Sequence, residues 1–125
     1  MKTLKLLILS LLFVAGQQAF GQQVTTNNAF PSFTFNITYN TPPCGAPFYS
    51  LAPNSSVTFT ICSGGSLTSI DVSFTDNTCS PPALVNINIP TTTIPTIYTY
   101  TLCDGQQVNF HINLVGSDIL IDITP

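Results

Sequence analysis

The chain has 125 residues, with 2 Lys or Arg, 5 acidic residues (all Asp) and 1 His, for a formal charge of −3. Both basic residues, Lys2 and Lys5, lie at the extreme N-terminus, so the rest of the chain has no cationic side chain beyond what its single His can carry. This excludes a phosphate clamp, a polybasic lipid patch and a nucleic-acid footprint, and it removes lysine Schiff bases and most acid–base constellations.

Residues 1–21 read as a cleavable signal peptide. Met1 to Lys5 is a short positive stretch, Leu6 to Val14 is apolar apart from Ser10, and Ala19 and Gly21 are the small residues a signal peptidase accepts. The apolar core is about ten residues, against the roughly 20 that span a bilayer. Export to the periplasm or beyond is therefore expected, with no membrane insertion after cleavage. Cleavage after Gly21 leaves 104 of the 125 residues and shifts the formal charge from −3 to −5.

Gln22 to Ser32 is polar, rich in Gln, Thr and Asn, and without periodicity, so 22–32 reads as a flexible N-terminal arm. From Phe33 the pattern has period two, with Phe33, Phe35, Ile37 and Tyr39 alternating with Thr34, Asn36, Thr38 and Asn40. Successive strand side chains point to opposite faces, so the segment has one apolar and one hydroxyl/amide face. A short strand is assumed at Pro47 to Leu51. Alternation returns in Val57 to Cys62, Ile70 to Phe74, Val85 to Ile89, Ile97 to Leu102, Val108 to Leu114 and Ile119 to Ile123. Pro42-Pro43, Pro53-Asn54, Ser63-Gly64-Gly65, Asp104-Gly105 and Gly116-Ser117-Asp118 separate these runs with turn chemistry. Residues 33–125 thus form a single all-β domain. The expected fold is an antiparallel, immunoglobulin-like β-sandwich of about seven or eight strands with two disulfides. A small closed β-barrel is the alternative.

Cys44, Cys62, Cys79 and Cys103 are an even set in an exported chain, and their spacings of 18, 17 and 24 residues do not resemble a zinc ribbon. Two disulfides follow. If the short strand at Pro47 to Leu51 exists, counting strand directions places Cys44 with Cys62 at one end and Cys79 with Cys103 at the other. That is one of three connectivities, and it weakens without that strand.

Few residues suggest chemistry. His111 is flanked by Asn109 and Asn113 on the polar side of a regular strand, with no G-x-S-x-G nucleophile motif anywhere. Catalysis is not expected. Asp76, Asn77 and Asp104 come nearest to a calcium set, but the D-x-D-x-D-G loop is absent and turn formation accounts for them. No metal or cofactor is expected. Tyr39, Tyr49, Tyr98 and Tyr100 could line a sugar-binding surface, although Tyr98 and Tyr100 share one strand face and suit a core equally. The sequons Asn36-Ile37-Thr38 and Asn54-Ser55-Ser56 are read as chance matches, because the lysine-led leader looks bacterial.

Two resemblances accompany this pattern. Phe33-Thr34-Phe35-Asn36-Ile37 together with Ser50 to Phe59 resembles the opening strands of thaumatin-like domains. The expected mature length and cysteine count depart from that family, and no function is carried over. Pro90 to Thr101 is similar to the strand openings of immunoglobulin-like repeats in bacterial surface adhesins. The expected function is a non-enzymatic exported β-sandwich with a structural, adhesive or binding role at or outside the cell surface, its partner a surface protein or a glycan. The alternatives are a secreted carbohydrate- or calcium-dependent binding module, and a fimbria-like subunit in which 22–32 completes a neighbour.

Overall fold

A computed structural model describes residues 21–125. The expected leader, apart from Gly21, lies outside the described residues. Among the described residues no helix is long and apolar enough to cross a membrane.

The chain folds into two sheets packed face to face, without closing into a barrel. One sheet is built from β3 (Phe48–Leu51), β2 (Phe35–Asn40), β5 (Ser69–Asp76) and β6 (Ala83–Pro90), in that order and wholly antiparallel. The other is ordered β4 (Ser55–Thr60), β1 (Gln23–Asn28), β9 (Asp118–Thr124), β8 (Gln107–Val115), β7 (Thr96–Thr101). All eight strands anticipated after Phe33 are present, including the short β3.

The five-stranded sheet corrects two expectations. Gln22 to Ser32 is not a loose arm, because Gln23–Asn28 lies inside the sheet, antiparallel to β4 and parallel to β9. The sandwich therefore begins ten residues earlier than expected, and the β1–β9 pair makes this sheet mixed rather than antiparallel. The reason is chemical. The inward face of β1 is Val24, Thr26 and Asn28, all at most 2% exposed, so two of its three core positions are polar and apolar alternation is absent. Both are satisfied. The Thr26 hydroxyl and the Tyr39 phenol lie 2.6 Å apart in a buried hydrogen bond. The Asn28 amide donates to Phe33 O at 2.9 Å and Ala52 O at 3.0 Å, while its carbonyl accepts from the Phe30 N–H at 3.0 Å. Among the described residues no buried side-chain polar atom lacks a partner, as close-packed interiors require.

Aromatic rings fill the space between the sheets. Phe35 lies 5.0 Å from Phe74 and 5.9 Å from Phe110, all edge-on, so the rings of β2 and β5 meet that of β8 across the interface. Burying each such ring contributes about 1.5–3 kcal/mol.

Each pole carries one disulfide, and each disulfide joins the two sheets. Cys44, between β2 and β3, bonds Cys62, just past β4, with Cα atoms 6.1 Å apart. Cys79, in the β5–β6 turn, bonds Cys103, in the β7–β8 turn, at 5.0 Å. These are the pairs that alternating strand directions predict. Each closes a loop of about twenty residues, worth roughly 3 kcal/mol in the chain-entropy account.

Candidate functional site

The outer face of the four-stranded sheet holds a shallow groove of about 420 Å³. Strand register builds it. Phe48, Thr38, Asp71 and Asn88 stand opposite one another on β3, β2, β5 and β6, forming one rung across the sheet. Ser50, Asn36, Ser73 and Asn86 form the next rung. Because side chains alternate along each strand, all eight project outward while their neighbours Ile37, Val72 and Ile87 project into the core.

Asp71 is the only charge in these rungs. The Asn88 amide donates to Oδ1 at 2.7 Å and the Asn40 amide to Oδ2 at 2.9 Å, and these bonds hold its carboxyl below the ordinary aspartate value. Asn40 also donates to the Ser69 hydroxyl at 2.9 Å. The carboxylate is thus fixed in direction with lone pairs left for a ligand. At the end of the same rung Phe48 is 61% exposed. With strands spaced about 4.8 Å apart, the rung runs roughly 14 Å from an apolar ring, past a held carboxylate, to a row of amides. This arrangement can accept and donate neutral hydrogen bonds and stack one flat apolar surface. It offers nothing cationic to an anion.

The other candidates resolve differently. The tyrosines do not make a common surface. Tyr39 is fully buried, and burial pushes its phenol up to about 12, with the Thr26 hydrogen bond opposing the shift. Tyr49 stacks on Phe59 at 5.6 Å, Tyr100 meets Phe74 at 5.5 Å, and Tyr98 meets Phe110 at 6.3 Å, so all four turn toward the core side.

His111 stands on the outer face of the five-stranded sheet, opposite Asp122 in the β8–β9 register. The Asp122 carboxylate accepts from the Asn27 amide at 2.8 Å, and no hydrogen bond joins it to His111 among the described residues. Both strands are regular here, and among the described residues no side-chain hydroxyl hydrogen-bonds to the imidazole.

Asp76 and Asp104 lie at the pole of the second disulfide, where Asp76, Cys79 and Cys103 cluster. The two sulfurs are bonded to each other and are not thiolates. The Asp76 carboxylate accepts from the Thr78 N–H at 2.9 Å, the Thr78 hydroxyl at 2.6 Å and the Cys103 N–H at 3.1 Å. Burial raises its pKa, but the Thr78 and Cys103 hydrogen bonds outweigh that and leave it lowered. Asp104 accepts from the Gln106 N–H at 2.9 Å, the turn role its sequence suggests. These carboxylates organise backbone.

Sequence reasoning singled out no residue of this groove as a binding site, and Phe48 was the hardest of them to place. Phe48-Tyr49-Ser50-Leu51 is too short to fix a phase, so which aromatic faced outward was not legible. Compared with known protein families, curated proteins and solved structures, the chain gives no match. The reading of its function therefore rests on the groove.

Proposed function

We propose that the protein is an exported, non-enzymatic binding module of adhesive type, whose ligand is an uncharged glycan held on the outer face of the four-stranded sheet. The observation that carries this is the double rung of amides and hydroxyls around Asp71, ended by the exposed ring of Phe48. Vicinal sugar hydroxyls donate to the lone pairs of the held carboxylate, and Asn36 and Asn86 offer both donors and acceptors. The apolar face of a sugar ring stacks on Phe48. A ligand of negative charge would meet Asp71 with no compensating cation. Export is supported by the leader pattern and by two disulfides, which persist in oxidising compartments. The immunoglobulin-like plan belongs to this reading. Short strands in two facing sheets with loops gathered at two poles support it, and the parallel β1–β9 pair is the feature it leaves unexplained.

The test is binding of the mature protein to an array of neutral and acidic glycans, followed by titration calorimetry on the best ligand. Neutral oligosaccharides are expected to bind, and Phe48→Ala and Asp71→Ala each to weaken binding by at least about tenfold, or ~1.4 kcal/mol. Thr25→Ala, on the opposite sheet, should leave it unchanged. Absence of any neutral ligand, or wild-type binding by Phe48→Ala, would sink the proposal.

A further inference from the structure

The strand β7 ends the five-stranded sheet, and among the described residues nothing pairs with its other side. Which backbone groups lie on that free side follows from the hairpin to β8. The Leu102 N–H donates to Gln106 O at 2.8 Å, closing the turn. Along an antiparallel ladder hydrogen-bonded and non-bonded pairs alternate. Tyr100, Tyr98 and Thr96 therefore direct their N–H and C=O groups at β8, and Ile97, Thr99 and Thr101 direct theirs outward.

Side chains mark the same edge. Ile97, on the outer face, is 65% exposed. Tyr98 faces the core side beside Phe110, yet it is 37% exposed, so the four-stranded sheet does not fully cover β7. The strand has none of the devices that usually blunt an edge. It carries no charge, no internal proline and no bulge against β8. No charged residue lies between Asp76 and Asp104, so two such edges approach without meeting like charges even though the whole molecule is acidic.

We propose that β7 pairs antiparallel with β7 of a second copy of this chain, about a two-fold axis through Thr99. Any register that keeps inward residues facing inward must pair odd with odd and even with even. The two such registers that centre nearest the middle of the strand, and so pair the most residues, centre on Tyr98 and on Thr99. Centring on Tyr98 would set Thr101 opposite Pro95, which has no N–H to give. Centring on Thr99 pairs Ile97 with Thr101 and Thr99 with itself, so every outward N–H and C=O finds a partner. It also sets Tyr98 of each copy opposite the other's Tyr100, an aromatic pair of the kind that stabilises cross-strand contacts. The ring left bare by the narrower sheet is covered by its own kind. The alternation of Tyr98-Thr99-Tyr100-Thr101, with Ile97 on the threonine face, is what makes the edge self-complementary.

The experiment is sedimentation velocity of the mature protein over a concentration series, repeated with three variants. Thr99→Pro removes an outward N–H and spares the backbone hydrogen bonds of the β7–β8 ladder, losing besides only the exposed bond from the Thr99 hydroxyl to Asn109, a change an edge strand tolerates. Thr99→Lys places a charge against itself across the axis. Ser56→Lys, on the edge strand β4, is the control. The expected result is a reversible dimer for wild type and Ser56→Lys, with the dissociation constant raised at least about tenfold in both Thr99 variants at unchanged circular dichroism and melting temperature. Should a Thr99 variant misfold, disulfide capture by Thr99→Cys, whose two copies face each other at the axis, gives the same answer. A wild-type chain that is monomeric throughout overturns the proposal. So does a dimer that survives both Thr99 substitutions.

Discussion

Asp76 sits where two opposing terms meet. Its carboxyl is fully covered, which disfavours charge, yet Thr78 and Cys103 supply three hydrogen bonds to the ionised form, and the net effect lowers its pKa. The folded value lies below the unfolded one, near 3.9. The stabilisation is therefore fully present above about pH 4 and is lost as pH falls through the folded value. Asp76→Asn keeps the shape but turns an N–H toward the Cys103 N–H, so it should cost about 1–3 kcal/mol at pH 7. Urea unfolding from pH 7 down to the acid limb should show the gap between the two proteins narrowing below about pH 4, as the wild type protonates the same group. A gap that stays constant with pH would mean the carboxylate's charge plays no part. None of this was legible in Asp76-Asn77-Thr78-Cys79, which read as a turn, because the covering and the Cys103 N–H come from a segment distant in sequence.

At the scale of elements, legibility followed the chemistry of the inward face. Strands such as β8, with Val108, Phe110 and Ile112 inward, announce themselves by apolar alternation, and their directions pair the cysteines only once the short strand assumed at Pro47 to Leu51 is counted with them. The strand β1 hid because Thr26 and Asn28 occupy core positions, and they are tolerable there only through Tyr39 and the carbonyls of Phe33 and Ala52. A single chain segment cannot display such partners. Position tells what β1 does: it is the strand that ties β4 to the rest of its sheet. Thr25 points outward, so Thr25→Pro spares the core and removes a backbone donor from a strand paired on both sides, together with the exposed hydroxyl bond to Thr58. It should destabilise by at least about 2 kcal/mol, a melting shift of roughly 10 °C for a domain of this size. A loose arm would accept the proline at no cost, so an unchanged melting temperature would argue against the strand.

For the whole molecule, the lack of Glu anywhere and of Lys and Arg beyond Lys5 has a positive side. Sheet faces built from Asn, Thr and Ser stay hydrated through neutral groups, and those groups suit neutral ligands. The general character of this surface was readable from alternation, but the groove was not, since it depends on the order β3-β2-β5-β6 bringing Phe48 and Asn88 onto one rung. The proposed dimer joins to this surface geometrically. A two-fold axis perpendicular to the joined sheet keeps inner faces on one side, so both four-stranded sheets lie on that side and both grooves face the same way. A shallow, open groove binds weakly alone, and two of them facing one glycan-bearing surface turn the second contact into an intramolecular event. Wild type and Thr99→Pro should therefore bind a soluble monovalent oligosaccharide equally. On a surface dense in the same sugar, the wild type should be retained at least about tenfold more tightly, within the range that bivalence supplies. Surface plasmon resonance at low and high ligand density separates the cases. Equal retention at both densities would show that the two grooves do not act together, even if each binds and the dimer forms.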